Sequence, residues 1–192
     1  MWDSADEKQA KWALKIQNIA VSKIYEKITQ WKNTRIEHQD TGWAKNNELM
    51  KILDVAGADK IIRWPNGTAA FLGQRFRSFN DTKYDDFTIR YMKIYGSNTE
   101  YTRLIHAFDN SGFIAQFYAY GHVNKNEDGF TRFRILKFQQ FIEWWLNKKN
   151  SPNETKITNR GDAEFMCWRF RRIPTSCIYW DSTKQNNLDS WM

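Results

Sequence analysis

The chain has 192 residues, of which 41% are hydrophobic and 16% aromatic, including ten tryptophans. This is ample apolar material for one domain with its own core, and two full domains would be a tight fit. The 29 Lys and Arg outnumber the 22 Asp and Glu, for a formal net charge of +7. Such an excess favours a polyanionic partner such as nucleic acid, although many mildly basic proteins have no such partner.

Membrane and secreted proteins are the classes that the sequence disfavours. No run approaches the roughly 18 apolar residues that a membrane helix needs, and the first residues are acidic and polar. We therefore expect a cytoplasmic protein with neither a signal peptide nor a membrane span. Cys167 and Cys177 flank a turn that contains proline, and a disulfide between them is one of two alternatives. A reduced pair fits better, because small secreted domains usually carry more bridges.

The first predicted element is a long amphipathic helix from Ser4 to about Trp31. This stretch has no proline or glycine, and Ser4 with Glu7 has the spacing of a capping box. Its apolar residues recur every three or four positions, at Ala13, Ile16, Ala20, Ile24, Ile28 and Trp31. A short helix is predicted over 48–55, and Gly57 ends it.

A β-hairpin is predicted next. Residues 59–64 form a β-rich run, Pro65-Asn66-Gly67 is a strong turn signal, and 68–77 forms the second strand. A third strand is predicted over 86–92, where apolar and polar residues alternate.

The second half of the chain continues to alternate helices and strands. Helices are predicted over 99–108 and 136–148, and strands over 112–120 and 130–135. The unbroken apolar character of 112–120 indicates a central strand that is buried on both faces. A loop over 149–161 follows.

The last predicted element is a C-terminal β-hairpin formed by 163–172 and 177–180, after which a polar tail starts at Asp181. The element order predicts an α/β fold over residues 1–180, with a mixed central sheet that is flanked by helices.

The first hairpin carries the pattern that points to chemistry. Asp59 starts one strand, and polar residues lie on the other, so hard oxygen ligands and a cation share a small volume. Such a site suits Mg²⁺ or Mn²⁺, which prefer carboxylate and carbonyl oxygens. The ion could activate water and stabilise the charge that develops on a phosphodiester during hydrolysis. A nearby arginine or lysine would orient the nucleophile or hold the phosphate.

This hairpin resembles that of the PD-(D/E)XK, or restriction-endonuclease-like, nuclease superfamily. Gly57-Ala58-Asp59-Lys60-Ile61-Ile62 looks like the strand that bears the metal-binding Asp, and Phe71-Leu72-Gly73-Gln74-Arg75-Phe76-Arg77 looks like the strand of the second motif. Gln replaces the acidic residue of that motif in some branches. The resemblance extends loosely to about Trp145 and implies a restriction-endonuclease-like core.

The resemblance also implies roles for single residues. Asp59, Gln74 and Glu26 would bind the metal, with Glu48 and Asp54 as weaker alternatives to Glu26. Arg75 and Arg77 would contact the scissile phosphate. Many enzymes of the superfamily are dimers, which implies a homodimer.

The second motif departs from the superfamily pattern. In a regular strand Gln74 and Phe76 share one face, whereas Arg75 and Arg77 share the other, so Phe occupies the lysine slot. Two alternatives would bring Arg75 into that slot: a register with Gly73 in the acidic position, or a β-bulge.

Further arginines are candidates for nucleic-acid binding. Arg132 and Arg134 lie on the strand over 130–135, whereas Arg169, Arg171 and Arg172 alternate with aromatic residues near the C-terminus. Arginines that alternate with stacking platforms suit a groove that follows the phosphate backbone. An amphipathic edge strand would give the same pattern.

The sequence therefore predicts a metal-dependent DNA endonuclease or resolvase. The rival hypothesis is a non-catalytic protein, viral or plasmid-borne, that retains the core and binds nucleic acid. Ten tryptophans exceed the needs of one core, so binding to another protein is a third alternative.

Overall fold

The computed structural model describes residues 4–38, 57–81, 83–93, 100–111, 114–148, 156–160 and 163–185. The longer helices within these ranges are α1 (Ser4–Lys23), α2 (Glu100–Ser111) and α3 (Phe138–Lys148). The strands are β1 (Arg35–His38), β2 (Lys60–Arg63), β3 (Ala69–Arg77), β4 (Asp86–Lys93), β5 (Phe117–Val123), β6 (Phe130–Lys137), β7 (Lys156–Arg160), β8 (Ala163–Arg169) and β9 (Ile178–Asp181). The short helix predicted over 48–55 lies outside the described residues.

Six strands form a mixed sheet in the order β1-β2-β3-β5-β6-β9. β3 and β5 are parallel, and the other neighbours in this sheet are antiparallel. A parallel pair needs a long crossover, and β4 and α2 lie within it. Residues 118–123 of β5 are all buried, which confirms that a central strand exists here, although it spans Phe117–Val123 and not 112–120.

Each face of this sheet packs against a separate cluster of side chains. On one face, Ala20 and the segment after α1 pack against the sheet through Tyr25, Trp31 and Phe133. On the other face, α2, α3 and a second sheet of order β4-β8-β7 enclose a cluster around Phe87. The predicted α/β fold with a mixed central sheet that is flanked by helices is thus confirmed.

The first helix is shorter than predicted. It ends at Lys23, and two 3₁₀ turns, Tyr25–Lys27 and Thr29–Trp31, carry the chain onward. Ile24 leaves helical geometry with φ −121° and ψ −60°. Because a 3₁₀ turn repeats every three residues, its buried positions continue the apolar spacing of the helix. The periodicity alone therefore did not reveal the break.

The predicted C-terminal hairpin is wrong. β8 pairs with β4 and β7, whereas β9 pairs with β6 in the other sheet. Two 3₁₀ turns carry the chain between the sheets, and Ile173 between them is buried. The loop predicted over 149–161 also contains a strand, β7. The third predicted strand exists as β4, but it belongs to the second sheet.

The ends of the described region bear on two further expectations. Asp181, where the polar tail was predicted to start, is the last residue of β9, and one helical turn, Ser182–Gln185, follows it. Cys167 and Cys177 are both buried as thiols. None of the helices described is both long and apolar enough to cross a membrane.

Candidate functional site

The β2–β3 hairpin brings the residues of the predicted site together. Lys60 pairs with Leu72 across the antiparallel ladder. The turn closes at Gly67, whose φ of +84° favours glycine and whose N–H donates to the carbonyl of Trp64 at 3.0 Å. β3 continues to Arg77, past the first residue of β2, so Gly73 and Gln74 lie level with the residues that precede β2.

That preceding residue is Asp59, which makes two contacts with β3. Its backbone N–H donates to the carbonyl of Leu72 at 2.9 Å. Its Oδ2 accepts a hydrogen bond from the backbone N–H of Gln74 at 2.6 Å. The residue is exposed, so a carboxylate faces solvent while it is held against β3. The structure therefore brings Asp59 and Gln74 together on neighbouring strands.

The side chain of Gln74 points to the α1 side of the sheet. Its Oε1 accepts a hydrogen bond from the hydroxyl of Tyr25 at 2.7 Å. Tyr25 is 0% exposed, and burial, with a contribution from the charge of Asp59, raises the pKa of its hydroxyl well above the usual value. The Nε2 of Gln74 is buried and has no hydrogen-bond partner among the described residues.

Lys60 is a site residue that the sequence reasoning missed. It is 0% exposed, and burial lowers the pKa of its ammonium to about 8, although Asp59 opposes the shift. Lysine is almost never fully buried in this way. The signal was present in the strand pattern, because Lys60 shares a face of β2 with the buried Ile62.

The neighbourhood of Gly73 shows that the alternative register, with Gly73 in the acidic position, would leave that position without a side chain. A Cβ at this position would lie 2.5 Å from the carbonyl oxygen of Gly57 and 2.7 Å from the ring of Tyr118. An acidic side chain therefore does not fit at position 73, and Gln74 is the polar residue beside Asp59.

The other alternative, a β-bulge that turns Arg75 round, is not observed. The β3–β5 register runs without a shift from Leu72 to Arg77. Phe76, in the lysine slot, packs against Phe130 and Phe133 with ring centroids 5.5 and 6.1 Å apart. Arg75 therefore stays on the face opposite Gln74.

Arg75 joins the two sheets. Its Nη1 donates to the carbonyl of Thr88 in β4 at 2.8 Å, and its Nη2 donates to Oε2 of Glu100 in α2 at 2.6 Å. The hydroxyl of Tyr118 donates to the other carboxylate oxygen of Glu100 at 2.6 Å. Burial opposes the charge of Arg75, but Glu100 with smaller neighbouring contributions holds the pKa of the guanidinium above its usual value.

Arg77 is likewise engaged between the sheets. Only 9% of it is exposed; its Nη2 donates to the hydroxyl of Thr88 at 2.9 Å, and its Nη1 lies 3.2 Å from Oδ1 of Asp86. Its guanidinium carbon lies 5.7 Å from the centre of the Tyr120 ring. The structure thus gives Arg75 and Arg77 intramolecular partners on the face away from Gln74.

The Asp59 carboxylate is the exposed oxygen donor of this region that a divalent cation could bind. Mg²⁺ is often held by one or two carboxylates together with water and substrate phosphates, so this carboxylate fits such a site. Within the described ranges no group of three or more His, Cys, Asp and Glu could hold a metal. Glu26 is exposed on the 3₁₀ turn, next to Tyr25. Glu48 and Asp54 lie outside the described residues.

Arg132 and Arg134, predicted to bind nucleic acid, lie in an ionic cluster between the sheets. The Nη1 of Arg134 donates to Asp85 at 2.6 Å and its Nε donates to Asp181 at 3.0 Å, while its guanidinium lies 4.3 Å from the centre of the Phe170 ring. Arg132 contacts Asp85 at 3.2 Å and is more exposed. The side chain of Arg134 is therefore bound by partners within the protein.

His122 is buried next to this cluster. It pairs with Arg77 on β3 and with Arg132 on β6. Burial, together with these arginines and Arg134, lowers the pKa of its imidazole to about 4, and Asp85 opposes the shift. His122 is therefore neutral at physiological pH.

The other predicted binding residues are at the surface. Arg169 ends β8, and Arg171 and Arg172 lie on the 3₁₀ turn that follows, where all three side chains are exposed. Phe170 between them is buried, so in the predicted alternating pattern the arginines face outward and the ring faces inward.

Comparisons with known proteins add no family to this description. No family model, curated protein or solved structure matches the chain.

Proposed function

We propose that the protein is a metal-dependent nuclease that hydrolyses phosphodiester bonds in DNA, in the manner of an endonuclease or resolvase. The contact between the exposed carboxylate of Asp59 and the backbone N–H of Gln74 is the observation that supports this most. It fixes a carboxylate against the backbone of the residue that carries the Gln74 amide, at one end of a hairpin. These are oxygen donors of the kind that Mg²⁺ and Mn²⁺ accept.

Asp59 and Gln74 would hold the ion, with Glu26 as a further ligand. When bound, the ion supplies an activated water and stabilises the charge that develops on the phosphodiester. In this proposal the chain itself fixes Asp59 through Gln74 and Leu72, so the carboxylate is in place before substrate arrives.

Lys60 is the cationic residue next to Asp59 in the chain, whereas the resemblance assigned the contact with the scissile phosphate to Arg75 and Arg77. Those two guanidiniums have intramolecular partners on the other face of β3, whereas Lys60 directly follows Asp59. Burial lowers the pKa of its ammonium to about 8, and in this proposal its charge acts on Asp59 from within the core.

DNA is the proposed partner because of the net charge of +7 and the exposed arginines of the β8 end. Arg169, Arg171 and Arg172 would contact phosphates, and each phosphate contact releases condensed counterions. We propose these three residues, rather than Arg134, as the principal binding arginines.

A second candidate function is DNA binding without cleavage. It is favoured by Phe76, which occupies the lysine slot of the motif and packs in the core. A chain that retains this core and binds DNA through its surface arginines needs no intact metal site.

Cleavage by matched variants separates the two candidates. Purified protein is incubated with plasmid, single-stranded or branched DNA and Mg²⁺ or Mn²⁺. We expect Asp59→Asn to lower cleavage at least about a hundredfold, because a metal ligand is removed. Asp109→Asn, at an exposed position on α2, is the control and keeps full activity. DNA that is bound but uncut by the unmodified protein would favour the second candidate.

The salt dependence of DNA affinity tests the binding surface. Replacement of Arg169, Arg171 and Arg172 by glutamine should weaken binding, because fewer phosphates are then neutralised. The slope of log K against log salt should fall by about one for each arginine that no longer neutralises a phosphate. A slope that is unchanged in the triple variant would place the DNA elsewhere on the protein.

A further inference from the structure

We propose that Phe79 and Tyr84 form a stacking platform for the bases of single-stranded DNA, beside the exposed arginines at the end of β8. The two rings lie in the β3–β4 loop, of which residues 78–81 and 83–85 are described. Stacking on protein rings suits an unpaired strand, because the bases of a duplex already stack on one another. This inference rests on the proposed DNA partner and not on the metal site.

Both rings are open to solvent. Phe79 is 42% exposed and Tyr84 is 39% exposed, and Leu14 on α1 is the other exposed large hydrophobic residue within the described ranges. Single exposed hydrophobic residues are ordinary, so the significance of these rings comes from the cations beside them.

Two exposed arginines lie next to Tyr84 in the fold. The N–H of Phe170 donates to the carbonyl of Asp85 at 3.1 Å. Tyr84 precedes Asp85, and Arg169 and Arg171 flank Phe170, so the ring and the two cations come from neighbouring positions of paired backbone. Phe170 itself is buried and is not available for stacking.

Lys83 adds a cation at the ring itself. Its Nζ lies 5.0 Å from the centre of the Tyr84 ring. The carboxylate of the neighbouring Asp85 contacts Arg132 and Arg134 at 3.2 and 2.6 Å, which offsets its charge. A base can thus stack on a ring while the adjoining phosphate contacts a cation, as in proteins that bind single strands.

The β3–β4 loop is held in place without a ligand. The N–H of Asp81 donates to the carbonyl of Ser78 at 3.0 Å, and the N–H of Tyr84 donates to the carbonyl of Asp81 at 3.1 Å. The ion pair between Arg77 and Asp86, at 3.2 Å, closes the base of the loop. A platform that is formed in advance loses less entropy when a strand binds.

The platform lies toward the same end of β3 as the proposed metal site. β3 runs from the hairpin turn past Gln74 to Arg77, where the loop begins. At about 3.3 Å per residue, Gln74 and Arg77 are about 10 Å apart. The platform therefore gives the proposed nuclease a substrate class, which is DNA with an unpaired strand.

Fluorescence anisotropy of labelled oligo-dT with the full chain, measured without divalent metal, tests the platform. We expect Tyr84→Ala and Phe79→Ala each to weaken oligo-dT binding at least about fivefold, because a base loses its stacking partner, and to leave duplex binding unchanged. Leu14→Ala is the matched control and should change neither affinity. Tyr84→Trp keeps a ring and should retain oligo-dT binding.

The salt dependence of the same binding separates stacking from charge. The alanine variants should lower oligo-dT affinity by the same factor at every salt concentration, because a ring neutralises no phosphate. A change in the slope of log K against log salt in these variants would show that the arginines were disturbed, and would overturn the stacking role.

The outcomes distinguish this inference from the proposed function. If the alanine variants bind oligo-dT normally while replacement of the three arginines weakens binding, the platform is wrong and the DNA-binding surface stands. Equal losses for oligo-dT and duplex would assign the rings to the fold and not to bases. Tighter binding of oligo-rU than of oligo-dT would overturn the assignment to DNA. If no DNA binding depends on the arginines, the surface and the platform both fail.

Discussion

Gly73 lacks a side chain at the point where the carbonyl oxygen of Gly57 crosses β3. A Cβ at position 73 would lie 2.5 Å from that oxygen, a distance that real contacts essentially never show. Gly57 has a φ of +70°, which favours glycine, so two glycines set the path of the chain into Asp59.

Gly73→Ala should therefore destabilise the protein by about 2–3 kcal/mol, because the backbone at Gly57 and the ring of Tyr118 must both move. The measurement is the free energy of unfolding in urea. Gly129→Ala is the matched control, since the nearest atom to an added Cβ there is 3.5 Å away, and it should cost less than about 1 kcal/mol. Equal costs at the two positions would contradict the close approach.

Lys60 makes the free energy of unfolding depend on pH in the alkaline range. Its pKa is about 8 in the folded protein against a usual 10.5, so below pH 8 the folded state carries the full cost of a buried ammonium. Between pH 8 and 10.5 the unfolded chain binds more protons, and stability rises with pH through this window.

Lys60→Met should accordingly be more stable than the unmodified protein at pH 7, by at least about 1 kcal/mol. The difference between the two proteins should shrink as the pH rises from 8 to 10.5. The comparison of the two proteins removes the contribution of tyrosine ionisation, which both share. A pH-independent difference would show that Lys60 is charged in both states throughout.

His122 makes the free energy of unfolding depend on pH in the acidic range. Its pKa is about 4 when folded and 6.5 when unconstrained, so the unfolded chain binds more protons between these values. Stability should fall as the pH drops through this window, by about 2 kcal/mol between pH 7 and pH 5. In His122→Gln most of that fall should disappear. Urea unfolding at the two pH values measures it, and an identical fall in both proteins would exclude His122 as its source.

Arg134 and Arg132 lie two residues apart on β6 but differ in burial. Arg134 is 7% exposed and contacts both Asp85 and Asp181, so Arg134→Met should cost about 3 kcal/mol, mainly because the buried carboxylate of Asp181 loses its arginine, whereas Asp85 is more exposed and keeps Arg132. Arg132→Met removes a more exposed ion pair and should cost less than about 1 kcal/mol. Thermal unfolding of the two variants measures the difference. Similar costs would mean that burial does not distinguish the two arginines.

Local signals in the sequence predicted the hairpin and the central strand well. The turn at Gly67 and the apolar run of β5 depend on neighbouring residues, and these predictions are confirmed. The pairing of β8 with β4 could not be found in this way, because β4 lies far from it along the chain.

In the candidate site, too, contacts between near neighbours were predicted and contacts between distant residues were missed. Asp59 and Gln74 were both predicted, because a hairpin brings near neighbours together. Tyr25 lies 49 residues from Gln74, and nothing in the sequence near either residue specifies the contact. The pairing of Arg75 with Glu100 was missed for the same reason: a strand pattern assigns a side chain to a face but does not identify what covers that face.

The parallel junction between β3 and β5 also orders the events of folding. β2–β3 and β5–β6 are local hairpins, whereas the junction joins residues as far apart as Phe71 and Gln116, separated by 45 positions. Local pairs close quickly and distant ones slowly, because the entropy of a long loop is lost before the contact forms. A partly folded chain can therefore hold Asp59 against Gln74 before Tyr25 packs against Gln74. The carboxylate would be in place first, and its buried hydroxyl neighbour would arrive with the rest of the core.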